Sequence, residues 1–352
     1  MEKQIKIGIT MGDPAGIGPE IIVKALSFQD IINSCLPVVI GDIAVLRDTA
    51  RDLGISGEIN EIRSIGDAKS DGCINVLNLP CEGKLERGVV SKPTGKASGE
   101  FIKKGVDLAV DGQIEALVTA PINKESFNLG GFPYPGHTEF LASLTGAKDY
   151  AMMLMGESLK VVLLTIHCPL TAVSEKLSAA DTLRISRLTD YYLKNYFAVK
   201  NPKIALASLN PHAGEGGMFG KEETEILLPA ARAAGKEGIN ITDPQPSDTL
   251  FFKAVNGEFD AVICPYHDQG LIPLKLLHFD TGVNVTLGLP VIRTSPDHGT
   301  AYDLAGKGIA KPDSLKAAIM TAVDMAKAKK RLCGETVAVK HTESFNKDFK
   351  GV

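Results

Sequence analysis

Apolar residues follow two alternating rhythms along this chain. Mainly apolar runs at 5–10, 38–40, 116–120, 161–166, 204–209 and 261–264 read as strands buried on both faces. Between them, apolar positions return every three or four residues. Ile21, Ile22, Ala25 and Leu26 follow Pro19-Glu20, and Ile102, Val106, Ala109 and Val110 fall within 98–111. Phe140, Leu141 and Leu144 follow Gly136, and 181–196 and 222–234 also read as helices. Pro and Glu suit the first turn of the helix that opens at Pro19. Strands alternating with helices in this way predict an α/β protein with mostly parallel sheets and helices on both faces. Residues 85–98 form the most loop-like polar stretch. From Arg331 the periodicity fades, so 331–352 are expected as a surface tail.

At 352 residues the chain is long for one small domain and about right for two coupled ones. Its 38 basic and 42 acidic side chains leave a net charge of −4, which predicts neither a nucleic-acid nor an anionic-membrane partner. No apolar run approaches the roughly 20 residues of a spanning helix. The N-terminus enters a strand without a signal-peptide core. The six cysteines form no C-x-x-C pair, so they suggest neither a disulfide frame nor a thiolate metal site. A cytoplasmic protein is expected.

Three of the seven histidines share one kind of position. His167 follows the 161–166 run, His212 the 204–209 run, and His267 the 261–264 run. Ligands bind at the carboxyl ends of strands in open parallel sheets. If those ends converge, three neutral imidazoles would hold a borderline divalent ion with positions left for water or substrate. If they do not, these are hydrogen-bonded loop histidines.

Lys275, Asn284 and Arg293 are nine residues apart in largely apolar surroundings. A charge in such a run needs a partner, and both cations suit a phosphate. Gly136-His137-Thr138-Glu139 opens a helical pattern whose backbone N–H groups would also face an anion. The turn from Gly12 to Gly18 is neither G-x-G-x-x-G nor a Gly-Lys-Ser/Thr loop. Asp13 would set a carboxylate beside any phosphate there, so the turn is expected to line a cleft without holding one.

Several of these segments recur together in one family. Gly136-His137-Thr138-Glu139, Leu209-Asn210-Pro211-His212-Ala213-Gly214-Glu215-Gly216-Gly217, Asp248-Thr249-Leu250-Phe251, Tyr266-His267-Asp268-Gln269-Gly270 and the stretch from Gly282 to Ser295 closely resemble the PdxA family of 4-hydroxythreonine-4-phosphate dehydrogenases. The opening Ile9 to Glu20 fits too, and the likeness runs from about residue 5 to about residue 328. It implies that His167, His212 and His267 ligate one divalent metal (Zn, Co, Mg or Mn). It implies that His137, Thr138, Lys275, Asn284 and Arg293 bind substrate, the last three on the phosphate side. It also implies a homodimer with shared active sites and metal ligands from both subunits.

A second likeness concerns the cofactor. Residues 295–312 resemble the adenosine-binding loop of isocitrate and isopropylmalate dehydrogenases, which bind NAD(P) without a Rossmann fingerprint. His298, Gly299, Thr300 and Ala301 are the expected contacts, while Lys311 stands where that loop usually has Asn. The implied architecture is two α/β/α domains around a cleft: 1–130 with about 290–330 carrying the cofactor loop, and 131–289 carrying metal ligands and dimer contacts.

The expected reaction is NAD- or NADP-dependent oxidation of a small phosphorylated hydroxy acid, 4-(phosphooxy)-L-threonine, followed by decarboxylation. Asp248, Asp268 and Lys124 are the candidate proton acceptors. Two other substrates or activities stay open: D-threonate or D-erythronate 4-phosphate, and, from the three-histidine pattern alone, metal-dependent hydrolysis.

Overall fold

A computed structural model of the chain describes residues 4–336. Its strands are β1 (Lys6–Thr10), β2 (Leu36–Gly41), β3 (Ile59–Ile62), β4 (Ile74–Asn78), β5 (Ala116–Thr119), β6 (Ala151–Met155), β7 (Lys160–Leu163), β8 (Ile204–Leu206), β9 (Ala261–Cys264), β10 (Val283–Leu287) and β11 (Ile292–Pro296). The helices are α1 (Gly18–Ala25), α2 (Gln29–Ser34), α3 (Ile43–Asp52), α4 (Lys92–Val110), α5 (Lys124–Leu129), α6 (His137–Thr145), α7 (Val173–Lys176), α8 (Ala179–Asn195), α9 (Leu228–Lys236), α10 (Ser247–Val255), α11 (His267–His278) and α12 (Asp313–Thr336). None of the described helices is long and apolar enough to cross a membrane.

The fold is α/β, and one continuous eleven-stranded sheet, in the order β3-β4-β2-β1-β5-β11-β10-β6-β7-β9-β8, carries both halves of the chain. From β3 to β11 all strands run parallel. β10 is antiparallel to both β11 and β6, and β6 is antiparallel to β7. β7, β9 and β8 are again mutually parallel and point opposite to the β1 block. The chain direction therefore reverses in the middle of the sheet, between β11 and β10.

Burial explains the apolar runs. Ile7 and Ile9 of β1, Val38 to Ile40 of β2 and Leu117 and Val118 of β5 are all inaccessible to solvent. Phe101 and Ile102 of α4 are buried in the same core. At the α4–α5–α6 junction Phe127 stacks on Phe132 with centroids 4.9 Å apart, and Phe140 meets both edge-on or tilted. Burying each such ring contributes roughly 1.5–3 kcal/mol.

Local chemistry moves several expected boundaries. α4 begins at Lys92, inside the stretch read as a loop. Ser91 caps it by accepting the Thr94 N–H, and Pro93 sits in its first turn, where a missing donor costs nothing. Regular strand covers only part of the 204–209 and 161–166 runs, as β8 and β7, with Ala207 adding an isolated bridge to Gln245. The helix expected over 222–234 starts as one wide π turn, Glu223–Leu227, before α9. Pro229 follows immediately, lacks an N–H and crowds the preceding turn. α12 continues past Arg331 to Thr336, so the expected tail begins as helix. Residues 337–352 lie outside the described part.

Candidate active site

The sheet reversal buries a cation. Arg293, on β11, is 2% exposed. Its Nε and Nη2 donate to Thr119 Oγ1 on β5 at 3.1 and 2.8 Å, and Nη1 donates to Thr286 Oγ1 on β10 at 2.9 Å. A guanidinium carries five N–H groups, so these contacts leave two for an anion. Burial pushes Arg293 down to about 9, against the opposing pull of the nearby Glu139 carboxylate.

The surroundings supply more unmet polar capacity. Asn284 lies two residues before Thr286 on β10 and shares its face, and its buried Oδ1 has no partner. His137 opens α6. Its Nε2 is sealed from solvent and also lacks a partner. Desolvation, then the Arg293 charge, holds its pKa well below 6.5. Thr138 beside it is 7% exposed. Buried polar atoms are normally satisfied, so these orphans mark a place shaped for a polar ligand. The Arg293 charge acts on His137, and Asn284 shares a face of β10 with Thr286, which accepts from Arg293. Lys275 takes a different position: its Nζ bonds Asp297 Oδ2 and the Asp297 carbonyl, both at 3.2 Å. It therefore stands at the entrance to the 298–301 loop.

Two of the three strand-end histidines meet. The rings of His167 and His267 lie 5.7 Å apart. Burial lowers the His167 pKa first, and the Lys124 and His267 charges lower it further, while Glu139 opposes them. Lys124, the first residue of α5, therefore faces this pair. The Asp268 carboxylate accepts the His267 Nδ1–H at 2.7 Å, which in that tautomer leaves Nε2 with a free lone pair. Asp248 lies exposed at the start of α10 and accepts the Thr249 N–H. No contact ties it to the histidine pair.

His212 is absent from the pair, although β8 and β9 are neighbours. Its loop turns the other way: His212, Ala213, Gly214, Glu215 and Gly216 have φ of 52, 56, 78, 42 and 65°. Left-handed backbone costs a non-glycine residue about 1–2 kcal/mol. Buried Glu223 holds the loop's root, accepting N–H groups of Leu209 and Asn210 at 2.8 and 2.7 Å and Asn210 Nδ2 at 3.0 Å. Among the described residues no group of three His, Cys, Asp or Glu side chains within the chain is arranged to hold a metal. Two imidazoles this close suit a borderline divalent ion in kind.

The 298–301 loop lies on the turn after β1. The Ile17 N–H donates to the Thr300 carbonyl at 3.0 Å, and His298 and Gly299 are exposed. A small cleft beside the turn is lined by Pro14, Gly16, Glu20, Asp52, Arg87 and Lys307, among others, with Arg87 paired to Asp52 at 2.7 Å; residues 298–301 do not line it.

Sequence reasoning missed Glu139, whose charge acts on both Arg293 and His167, and the two hydroxyls that hold Arg293. An acid in the first turn of the helix opened by His137 was the available signal for Glu139. Thr119 ends a buried strand and looked like plain β chemistry.

Comparison with known proteins follows the same lines. Residues 33–322 match the family model described as pyridoxal phosphate biosynthetic protein PdxA. The chain is 49% identical over 321 residues to 4-hydroxythreonine-4-phosphate dehydrogenase of Desulforapulum autotrophicum, covering 90% of this chain and 94% of that protein. It is 46% identical to D-threonate 4-phosphate dehydrogenase of Salmonella typhimurium, covering 91% and 98%. A crystal structure of 4-hydroxythreonine-4-phosphate dehydrogenase from Klebsiella pneumoniae superposes with a TM-score of 0.85 at 42% identity, over 92% of this chain and 98% of that one.

Proposed function

The chain belongs to the PdxA family of dehydrogenases, and from that membership we propose that it oxidises 4-(phosphooxy)-L-threonine to 2-amino-3-oxo-4-(phosphooxy)butanoate, with NAD or NADP as acceptor and one divalent metal per site. The observation that carries this is the buried Arg293 guanidinium. Buried Arg293 keeps two N–H groups unused beside the unpartnered atoms of His137 and Asn284, at the sheet reversal next to the histidine pair.

In this reading the phosphate enters the pocket, taking the Arg293 donors, and Lys275 guards its approach. Neutral His137 and Asn284 complete the hydrogen bonds without adding charge. His167 and His267 would hold the metal, with His212 of a second copy as third ligand. Such an ion makes a nearby hydroxyl more acidic and stabilises negative charge on the carbonyl oxygen when carbon dioxide leaves. Residues 298–301 would hold the adenosine end of a dinucleotide, which would supply the hydride acceptor. Of the three candidates we assign the hydroxyl proton to Lys124, whose charge acts on His167, while Asp268 is engaged with the His267 ring. Asp268 orients His267, and Asp248 is left on the surface. The product is a β-keto acid, which loses carbon dioxide to give 3-amino-2-oxopropyl phosphate.

A dimer belongs to the same reading. α11 begins at His267 and presents Ile272, Leu276 and Phe279, which are 67, 84 and 75% exposed, on one side. A second copy covering that face would also bring in a His212 arm.

A second substrate is favoured by one finding: relatives named for D-threonate 4-phosphate are almost as similar to this chain. The test measures NADH production with a panel of four-carbon phosphorylated acids, with and without added divalent metal. The amino acid should be the best substrate, and metal should be required. Preference for the threonate would shift the assignment within the family. Release of inorganic phosphate without NADH would mean hydrolysis and overturn it.

A further inference from the structure

Ala301 has φ of 40°, a strained conformation for a residue with a Cβ. Such residues persist only where their surroundings over-determine them. Here both flanks are fixed. On one side Ile17 N–H holds the Thr300 carbonyl at 3.0 Å. On the other, the Tyr302 hydroxyl donates to Asp13 Oδ2 at 2.8 Å and lies 3.0 Å from Ser126 Oγ. Asp13 is inaccessible to solvent, and its Oδ1 accepts the Ala15 N–H at 2.9 Å. Ser126 also accepts the Ser91 N–H at 3.2 Å and sits in α5, two residues after Lys124. Glycines allow the close approach: a Cβ on Gly16 would stand 3.0 Å from Thr300, and one on Gly88 2.8 Å from the Tyr302 carbonyl.

We propose that Asp13, Tyr302 and Ser126 form a latch that holds the 298–302 loop in its dinucleotide-binding shape and registers it against α5. Asp13 and Tyr302 are then positioning residues, not catalytic ones. This gives the carboxylate in the turn after β1 a role: Asp13 faces the loop's tyrosine. The proposal rests on the NAD-dependent reading above.

The test titrates wild type, Tyr302→Phe, Asp13→Asn and Ser126→Ala with NADH, and separately with inorganic phosphate as a probe of the Arg293 pocket. Tyr302→Phe keeps the ring and removes the hydrogen bond. It should weaken NADH binding about tenfold, the size expected for a bond to a charged group, and raise KM for NAD more than it lowers kcat. Asp13→Asn should weaken NADH less, because the amide still offers Tyr302 a polar partner. Phosphate affinity should stay within about twofold of wild type, since the pocket's own contacts are untouched. Should Tyr302→Phe fail to fold, Ser126→Ala reads the same latch and should weaken NADH in the same direction. NADH binding at wild-type strength in the folded variants would overturn the latch. So would phosphate and NADH weakening in step, which marks general damage. A wild-type protein that binds phosphate but no NADH would overturn the dehydrogenase reading, and the latch with it.

Discussion

Arg293 shows how one residue acquires a function from its surroundings. A guanidinium this deep in a sheet survives because Thr119 and Thr286 take three of its N–H groups, and the rest await an anion. Arg293→Ala should lower kcat/KM for the phosphorylated substrate roughly ten- to a hundredfold, the loss of a charge-assisted contact. An unchanged kcat/KM would place the phosphate elsewhere. His137 adds a pH dependence. Its folded pKa lies below 6.5 because of burial and Arg293, so the unfolded chain takes up the proton first. Stability is therefore unaffected above about 6.5 and falls as pH drops below it. Urea unfolding between pH about 7 and about 5 should show this slope, and His137→Gln should flatten it. The cluster of Arg293, Asn284 and His137 was legible in the sequence because charges in apolar runs need partners. Glu139 was not, since its role depends on which strand Arg293 faces.

At the scale of elements, the α4–α5 contact ties fold to site. Gly95 of α4 lies against the Ser126 carbonyl, and a Cβ there would overlap it. Gly95→Ala should destabilise the fold by about 2–3 kcal/mol, read from the denaturation midpoint. It should also weaken NADH binding, because Ser126 belongs to the proposed latch. Unaltered stability would show that α4 and α5 separate freely. The start of α4 was written in Ser91 and Pro93, yet the surrounding Lys and Gly made the segment look like a loop. The β7, β9 and β1 cores were legible from apolar runs alone. The left-handed turn at 212–216 was not, because alanine and glutamate seldom adopt that backbone and only tertiary clamping by Glu223 sustains it.

For the whole molecule, sharing of the metal site between subunits is the sharpest expectation. Inactive His212→Ala and His267→Ala proteins, mixed under subunit exchange, should recover activity. Random mixing makes about half the dimers mixed, each with one intact site of two, so about a quarter of wild-type activity returns. No recovery after proven exchange would mean that each chain builds its own site. Sequence length suggested two domains, but one sheet spans both halves, and backbone pairing across β11 and β10 links them mechanically.

The sequence by itself determined the α/β class, the strand-end placement of His167, His212 and His267, and the polar residues suited to a phosphate. These follow from local periodicity and from residue chemistry, which act over a few positions. Only the tertiary structure decided which of them meet. Strand order and direction put Arg293 at the reversal between β11 and β10. The left-handed loop removed His212 from the pair its neighbours form, and packing of residues far apart in the chain brought Tyr302 onto Asp13. Those outcomes depend on loop paths and long-range contacts, whose energies no local pattern encodes.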